Sequence, residues 1–195
     1  MQIILSRIET ANYLCRSCGT CCKADIPIHA PEVMKLSELT GLKIREIVED
    51  DGYKNHTLQM RLKNDETCIF LKDSRCQIYG DRPLICYKFP LQFALAPDGQ
   101  DIKAVPWWTG LKDADSCVGL PERYETGVNN IALQPEQILA ILEKGIKLRA
   151  TRAQVSRKNG VDRFVRESFE FFSSLTLEEA TKILFQNQGK GFLII

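Results

Sequence analysis

The chain has 195 residues, of which 44% are hydrophobic and 26% are charged. This composition supports a hydrophobic core and excludes a disordered protein. The 26 basic and 25 acidic side chains give a formal net charge of +1, so the whole molecule has no electrostatic attraction to nucleic acid or membranes. Its apolar runs are far shorter than the roughly 18 residues of a transmembrane helix. We therefore expect a soluble, cytoplasmic protein.

The amino-terminal part predicts a strand followed by two short helices. Residues 2–8 alternate weakly between apolar and polar side chains, which is typical of an edge strand. Pro31 and Glu32 mark the start of a helix that ends at Gly41, because proline fits the first turn of a helix and glycine its end. A second short helix is predicted over residues 44–48.

The middle of the chain predicts strands and hairpins. Residues 57–63 place apolar side chains at every second position, which predicts a half-buried strand. Turn-forming residues at 72–75 and 97–100 separate short apolar segments, so two β-hairpins are expected there. Between the hairpins, Pro83 can begin a short helix that Pro90 must end.

The last third of the chain changes to the apolar period of helices. Helices are predicted from Pro135, over residues 162–173, and after a capping box formed by Thr176–Glu179. The sequence therefore predicts an α+β fold, in which a small cysteine-rich body of short helices and antiparallel hairpins precedes a helical segment. We expect a cysteine-cluster metal-binding domain in residues 1–125 and a helical extension packed on it in residues 126–195.

Eight cysteines are the most unusual feature of the sequence. The set comprises Cys15, Cys18, Cys21, Cys22, Cys68, Cys76, Cys86 and Cys117. Disulfides are typical of short secreted domains, and cysteines this close in sequence bridge one another only with strain. Metal ligation is therefore the favoured interpretation, with disulfides and chance burial of small apolar side chains as alternatives.

The first group of cysteines has the spacing of an iron–sulfur ligand run. Cys15, Cys18 and Cys21 recur every third residue, as in bacterial ferredoxins, which present three thiolates to one cluster in this way. Gly19 within the run can adopt the positive φ that turns backbone amides toward sulfur. Because adjacent side chains diverge, we expect Cys22 to reach a second metal or another face of a larger cluster.

The second group of cysteines lies around the first predicted hairpin. Cys68 and Cys76 flank its turn, so their sulfurs can converge, and Cys86 lies on the short helix that follows. Arg82 either offsets the negative charge of several thiolates or pairs with a neighbouring aspartate. Cys117 lies apart from both groups and either completes a count of eight ligands or is simply buried.

Both groups occur in the order of a known family. The run is Cys15-x2-Cys18-Gly19-x-Cys21-Cys22, then Cys68-x-Phe70-Leu71, Cys76-x-Ile78-Tyr79, Arg82-Pro83, Cys86 and Phe89-Pro90. It resembles the CxxCxxCC cysteine-cluster family of zinc- or iron-chelating domains, which includes flagellin lysine N-methylases. The resemblance extends over roughly residues 13–91. It implies a metal or iron–sulfur site that uses all the cysteines except Cys117.

The number of thiols bears on the choice of cofactor. Eight thiols exceed the four ligands of one structural zinc ion, but they suit two four-ligand sites. The ferredoxin-like run favours one or two [4Fe–4S] clusters, with zinc as the alternative. His29 could also ligate a metal, but it and His56 are interpreted as ordinary surface or loop residues.

Three classes of function are compatible with such a site. The favoured one is an iron–sulfur or metal-binding protein that acts in electron transfer, in cluster or metal handling, or as a cluster-containing accessory protein. The resemblance implies a lysine N-methylase-like enzyme as an alternative, but no G-x-G-x-x-G turn follows a strand and no catalytic residue is assigned. The third class is a zinc-binding module that docks nucleic acid or an acidic partner.

One basic segment is relevant to the third class. Residues 144–166 contain eight basic side chains and one acidic side chain, which predicts a basic helix. Its ordinary interpretation is a solvated helix face, and no aromatic side chain for base stacking lies between Lys144 and Arg163. We therefore expect a protein partner, and neither a nucleic-acid nor a membrane partner.

Overall fold

The computed structural model describes most of the chain in nine segments. They are residues 7–8, 19–23, 26–49, 58–89, 91–95, 101–106, 135–156, 160–186 and 193–194. Three of the predicted ligands, Cys15, Cys18 and Cys117, lie outside these segments. Structural statements about the site therefore concern the other five cysteines.

The described segments combine helices with short strands, which confirms the predicted α+β fold. The helices are α1 Ala30–Thr40, α2 Ile44–Ile47, α3 Leu84–Lys88, α4 Pro135–Gln154, α5 Val161–Ser174 and α6 Leu177–Gln186. The strands are β1 Arg7–Ile8, β2 Pro27–Ile28, β3 Val48–Glu49, β4 Leu58–Met60, β5 Leu71–Lys72, β6 Arg75–Cys76, β7 Leu91–Leu95, β8 Asp101–Pro106 and β9 Leu193–Ile194. Within the described segments, no helix is both long and apolar enough to span a bilayer.

The strands form three small sheets. One sheet has the order β1-β8-β7-β9, the second β2-β4-β3, and the third is the hairpin β5-β6. Both predicted hairpins are present, because β5 pairs antiparallel with β6 and β7 antiparallel with β8. The predicted amino-terminal edge strand is confirmed for residues 7–8, since β1 lies at the edge of its sheet and runs parallel to β8, whereas residues 2–6 lie outside the described segments.

The helix ends have the local chemistry that the sequence predicts. Gly41 ends α1 with a φ of 73°, and its N–H donates to the carbonyl oxygen of Ser37 at 2.9 Å. Before α6, the N–H of Thr176 donates to the carboxylate of Glu179 at 2.9 Å, and the N–H of Glu179 donates to the Thr176 hydroxyl oxygen at 3.2 Å. This reciprocal pair is the predicted capping box.

Two hydrophobic cores hold the elements together. The first lies among β2, β3, β4, α1, α2 and α5, and its fully buried side chains include Val33, Ile47 and Val165. The second is formed by α3, α4 and α6 and includes Leu84 and Leu142. The carboxy-terminal helices therefore pack on the cysteine-bearing body. The boundary between residues 125 and 126 lies outside the described segments, so it stays a prediction.

The basic segment differs from its sequence-based prediction. It is divided between α4, which ends at Gln154, and α5, which begins at Val161, so it is not one helix. Its side chains also make internal contacts. The ammonium of Lys144 lies 2.7 Å from the Glu32 carboxylate, and that of Lys147 lies 4.7 Å from the centre of the Phe172 ring. The interpretation as a solvated face is therefore wrong for the α4 part of the segment.

Glu32 connects three helices in a buried position. Its side chain is only 5% exposed, and its Oε1 atom accepts hydrogen bonds from the Leu84 N–H and the Lys144 ammonium, both at 2.7 Å. One carboxylate oxygen on α1 thus accepts a hydrogen bond from the first amide of α3 and forms an ion pair with a lysine of α4. Because Leu84 begins α3, Glu32 fixes the start of the helix that carries Cys86.

We expect Glu32→Ala to lower the free energy of unfolding by about 3 kcal/mol, because it leaves a buried amide and a partly buried ammonium without their partner. Glu32→Gln should lower it less, since the amide oxygen can still accept from the Leu84 N–H. Denaturant unfolding measures both effects. The matched control is Glu178→Ala, which removes an exposed ion pair with Lys182 and should leave the free energy of unfolding nearly unchanged. Equal losses for Glu32→Ala and the control would contradict the assigned role of Glu32.

Candidate metal centre

The first cysteine group ends in a tight turn. Residues Thr20–Cys22 form one turn of 3-10 helix, closed by the Cys22 N–H, which donates to the Gly19 carbonyl oxygen at 2.9 Å. Gly19 has a φ of 73°, so the predicted left-handed conformation is confirmed. Cys22 is partly buried and packs against the first hydrophobic core.

A backbone hydrogen bond joins the two cysteine groups. The N–H of Cys68 donates to the carbonyl oxygen of Cys22 at 2.7 Å, although 46 positions separate the two residues in sequence. The Cys68 side chain is 5% exposed, and its sulfur lies 3.3 Å from the sulfur of Met60 on β4. The bond therefore places Cys22, the last cysteine of the first group, beside Cys68, the first cysteine of the second group.

The hairpin β5-β6 holds Cys68 and Cys76 on either side of its turn. Cys76 pairs with Leu71 across the hairpin, and the Leu71 N–H donates to the Cys68 carbonyl oxygen at 2.9 Å. The turn residues Asp73 and Ser74 both have positive φ, 49° and 58°, as a two-residue turn with the twist of a hairpin requires. The predicted placement of both cysteines is confirmed.

Cys86 lies on the single-turn helix that the sequence predicts. Pro83 precedes α3 and Phe89 follows it, and the Phe89 N–H donates to the Ile85 carbonyl oxygen at 3.2 Å. Cys86 is partly buried against the first core. The helix is short because the two prolines allow only one turn between them.

Four cysteines form an electrostatically coupled group. The pKa of the Cys68 thiol is raised by burial, and the nearby thiols of Cys76 and Cys21 raise it further. The pKa of Cys86 is raised well above its ordinary range by burial, with further contributions from Cys21, Cys68 and Cys76. A bound cation would favour the ionised form of these thiols. Cys21, Cys68, Cys76 and Cys86 are therefore within electrostatic reach of one another.

The donor set of this group fits a metal with thiolate ligands. Thiolates suit zinc and iron–sulfur clusters. Within the described part of the chain, however, no three potential ligands converge closely enough to hold one ion. A tetrahedral zinc site would place its sulfurs about 3.8 Å apart, from Zn–S distances of about 2.3 Å. The other predicted ligands, Cys15, Cys18 and Cys117, lie outside the described part of the chain.

A set of cations that the sequence analysis missed lies near α3. Lys88 is 8% exposed, and its pKa is lowered to about 8 by burial and by Arg149. The pKa of Arg149 is itself lowered by burial and by Arg152. Glu32 is within electrostatic reach of both Lys88 and Cys86, so cations and thiols lie near the same carboxylate. The sequence offers one signal for this set of cations, because Lys88 stands two positions after the candidate ligand Cys86.

His29 lies in the same cationic surroundings. It joins β2 to α1 and is partly buried, so it is not an ordinary surface histidine. Burial lowers its pKa to about 4, with smaller lowering effects from Arg152, Arg149 and Lys88, which outweigh the opposing effect of Glu32. Its imidazole is therefore neutral at physiological pH.

The predicted ion pair of Arg82 with Asp81 is not formed, and the predicted role of Arg82 in offsetting thiolate charge stays a prediction. Its guanidinium lies 3.6 Å from the centre of the Tyr79 ring and 5.3 Å from that of Tyr87. Asp81, the expected partner, instead pairs with Lys35 at 2.9 Å. Arg82 is therefore held by aromatic contacts.

We predict that His29 gains its proton only near pH 4. Between about pH 6.5 and pH 4, the unfolded chain binds a proton at His29 that the folded chain does not. The free energy of unfolding therefore decreases as the pH is lowered through this window. The limiting slope is about 1.4 kcal/mol per pH unit. Imidazole ¹⁵N shifts across a pH titration measure the protonation, and a His56→Gln variant assigns the signals. Titration of His29 near pH 6.5 would contradict its burial.

Comparison with known proteins gives one match. Residues 14–110 match the model of the CxxCxxCC family, which carries the description "Putative zinc- or iron-chelating domain". The match covers the cysteine groups and continues through the second hairpin. No curated protein and no solved structure matches the chain.

Proposed function

Because the chain belongs through residues 14–110 to the CxxCxxCC family of metal-chelating domains, we propose that it is a cytoplasmic iron–sulfur protein with a [4Fe–4S] cluster. The grouping of Cys21, Cys68, Cys76 and Cys86 is the observation that carries this proposal. Cys15 and Cys18 extend the group through their spacing from Cys21. A reducing compartment is in keeping with Cys22, Cys68 and Cys86, which are free thiols.

Two properties of the group favour iron–sulfur over zinc. One is the Cys-x2-Cys-x2-Cys run, which is the ferredoxin pattern. Together with the second group, the run offers more thiols than one zinc ion can use. The remaining cysteines, Cys22 and Cys117, are then available for a second site or for another face of the cluster.

Within this proposal, electron transfer is the activity that the surroundings of the cysteines support best. A bound [4Fe–4S] cluster supplies one-electron oxidation and reduction. The protein's own contribution is the burial of its cysteines. Cys68 is only 5% exposed, which keeps water and the thiols of a cluster-accepting protein away from its sulfur. Donation of a cluster to another protein requires exchange of such ligands, so burial favours a resident cofactor. The nearby Lys88 and Arg149 offset part of the negative charge of a thiolate-bound cluster.

Anaerobic purification tests the proposal through the metal content. We expect a brown protein with equal molar amounts of iron and acid-labile sulfide and little zinc. Dithionite should bleach the visible absorbance reversibly and produce an electron paramagnetic resonance signal. Zinc in stoichiometric amount, without sulfide even after reconstitution with iron and sulfide, would contradict the proposal.

Substitution of one ligand tests the assigned cysteine group. Cys86→Ser should lower iron and sulfide and reduce the melting temperature at the same time, because site formation is coupled to folding. The matched control is Ile85→Val, which changes the neighbouring half-buried side chain on α3 and should leave the iron content intact. Full iron content in Cys86→Ser would remove Cys86 from the ligand set.

A further inference from the structure

A cavity of about 370 Å³ lies between α1, the segment leading into α3, and α4. Its charged lining comes from Lys35, Asp81, Arg82, Glu136 and Lys144, and its apolar wall includes the side chains of Leu84, Ala140 and Ile141. The volume is within the range of small-molecule sites in proteins. The cavity thus combines an apolar wall with a few charged groups.

The cavity is separate from the cysteine group. Leu84 and Tyr87 line it from positions three apart on α3, so they share one face of that helix. Cys86 lies about 160° around the helix from the direction of Leu84, at about 100° per residue. The two sites therefore use different faces of α3, and this inference does not depend on the identity of the metal.

The charged side chains that line the cavity differ in whether they pair with a group of opposite charge. Lys35 pairs with Asp81 at 2.9 Å, and Lys144 pairs with Glu32 at 2.7 Å. Arg82 stacks on the rings of Tyr79 and Tyr87, and within the described residues it forms no ion pair or hydrogen bond. The rings fix the plane of the guanidinium without neutralising its charge. A guanidinium held in this way is prepared to bind an anion through its N–H groups.

From this cavity we infer a binding site for a small organic monocarboxylate, with Arg82 as the carboxylate-binding residue. The planar fork of a guanidinium matches a carboxylate, and the wall formed by Leu84, Ala140 and Ile141 accommodates an apolar body. Asp81 and Glu136 line the same cavity and repel a second negative charge, so the site favours a monoanion over a phosphate dianion.

Titration of the full-length, metal-loaded protein with sodium benzoate tests this inference. We expect saturable binding, seen in calorimetry and as a shift of the Arg82 Nε–H signal in ¹⁵N spectra. Benzamide, the uncharged analogue, and inorganic phosphate should both bind at least about tenfold more weakly. Phosphate that binds as tightly as benzoate would overturn the monocarboxylate assignment.

Two variants locate the site. Arg82→Gln should weaken benzoate binding at least about tenfold, whereas Arg75→Gln, which removes the same charge from exposed β6, should not change it. Ala140→Phe places a ring in the cavity while Arg82 stays in place, and it should abolish benzoate binding. If Arg82→Gln fails to fold, this second variant still tests whether benzoate binds in the cavity. Metal content and melting temperature report folding in each case. Absence of saturable benzoate binding, or unchanged binding in folded Ala140→Phe, would overturn the inference.

Discussion

Four partly or fully buried thiols within electrostatic reach of one another impose the constraint on which the rest of this structure depends. Their negative forms repel one another, and burial removes the water that would otherwise stabilise them, so the pKa values of Cys68 and Cys86 are raised. A bound cation would offset this repulsion and favour the ionised thiols. The fold holds the distant parts of the chain that carry these thiols near one another. The hydrogen bond between the Cys68 N–H and the Cys22 carbonyl oxygen is one such connection, because it joins the two cysteine groups directly.

Glu32 extends this arrangement to the carboxy-terminal helices. Its buried carboxylate fixes the start of α3, which carries Cys86, and also pairs with Lys144 of α4. The same carboxylate is in electrostatic reach of Cys86, Lys88 and His29. The helical part of the chain is thus connected to the cysteine group by charge as well as by hydrophobic packing. A change in the position of α4 would act on α3 through this side chain and through the core that the two helices share.

Much of the fold could be predicted from local sequence. Proline and glycine mark the ends of α1 and α3, the turn at 72–75 marks a hairpin, and Thr176 with Glu179 marks the start of α6, because these features depend on neighbouring residues. The two-residue strand β9, which pairs with β7, was not predicted, since so short a strand has no measurable period. The metal site was predicted from cysteine spacing, whereas the convergence of Cys86 with Cys21 depends on tertiary contacts.

The polar interior was not predicted either, and for a different reason. Glu32, Lys88 and Arg149 are charged residues that sequence analysis places at the surface by default, because burial of charge is costly. Groups on other elements offset the free-energy cost of burying these charges, and the sequence of one segment does not predict which groups those are. Glu32 does share a helix face with Leu36, four residues later, and this was the one local indication that it faces the core. The stacking of Arg82 on two tyrosines likewise depends on the fold around α3.

X-ray absorption at the iron and zinc edges tests the account most directly, because it reports the neighbours of the metal itself. Anaerobically purified protein should show sulfur atoms in the first shell of iron and other iron atoms just beyond them, as a cluster requires. An iron or zinc ion surrounded by sulfur, with no second metal atom beside it, would contradict the central claim that the gathered cysteines hold an iron–sulfur cluster.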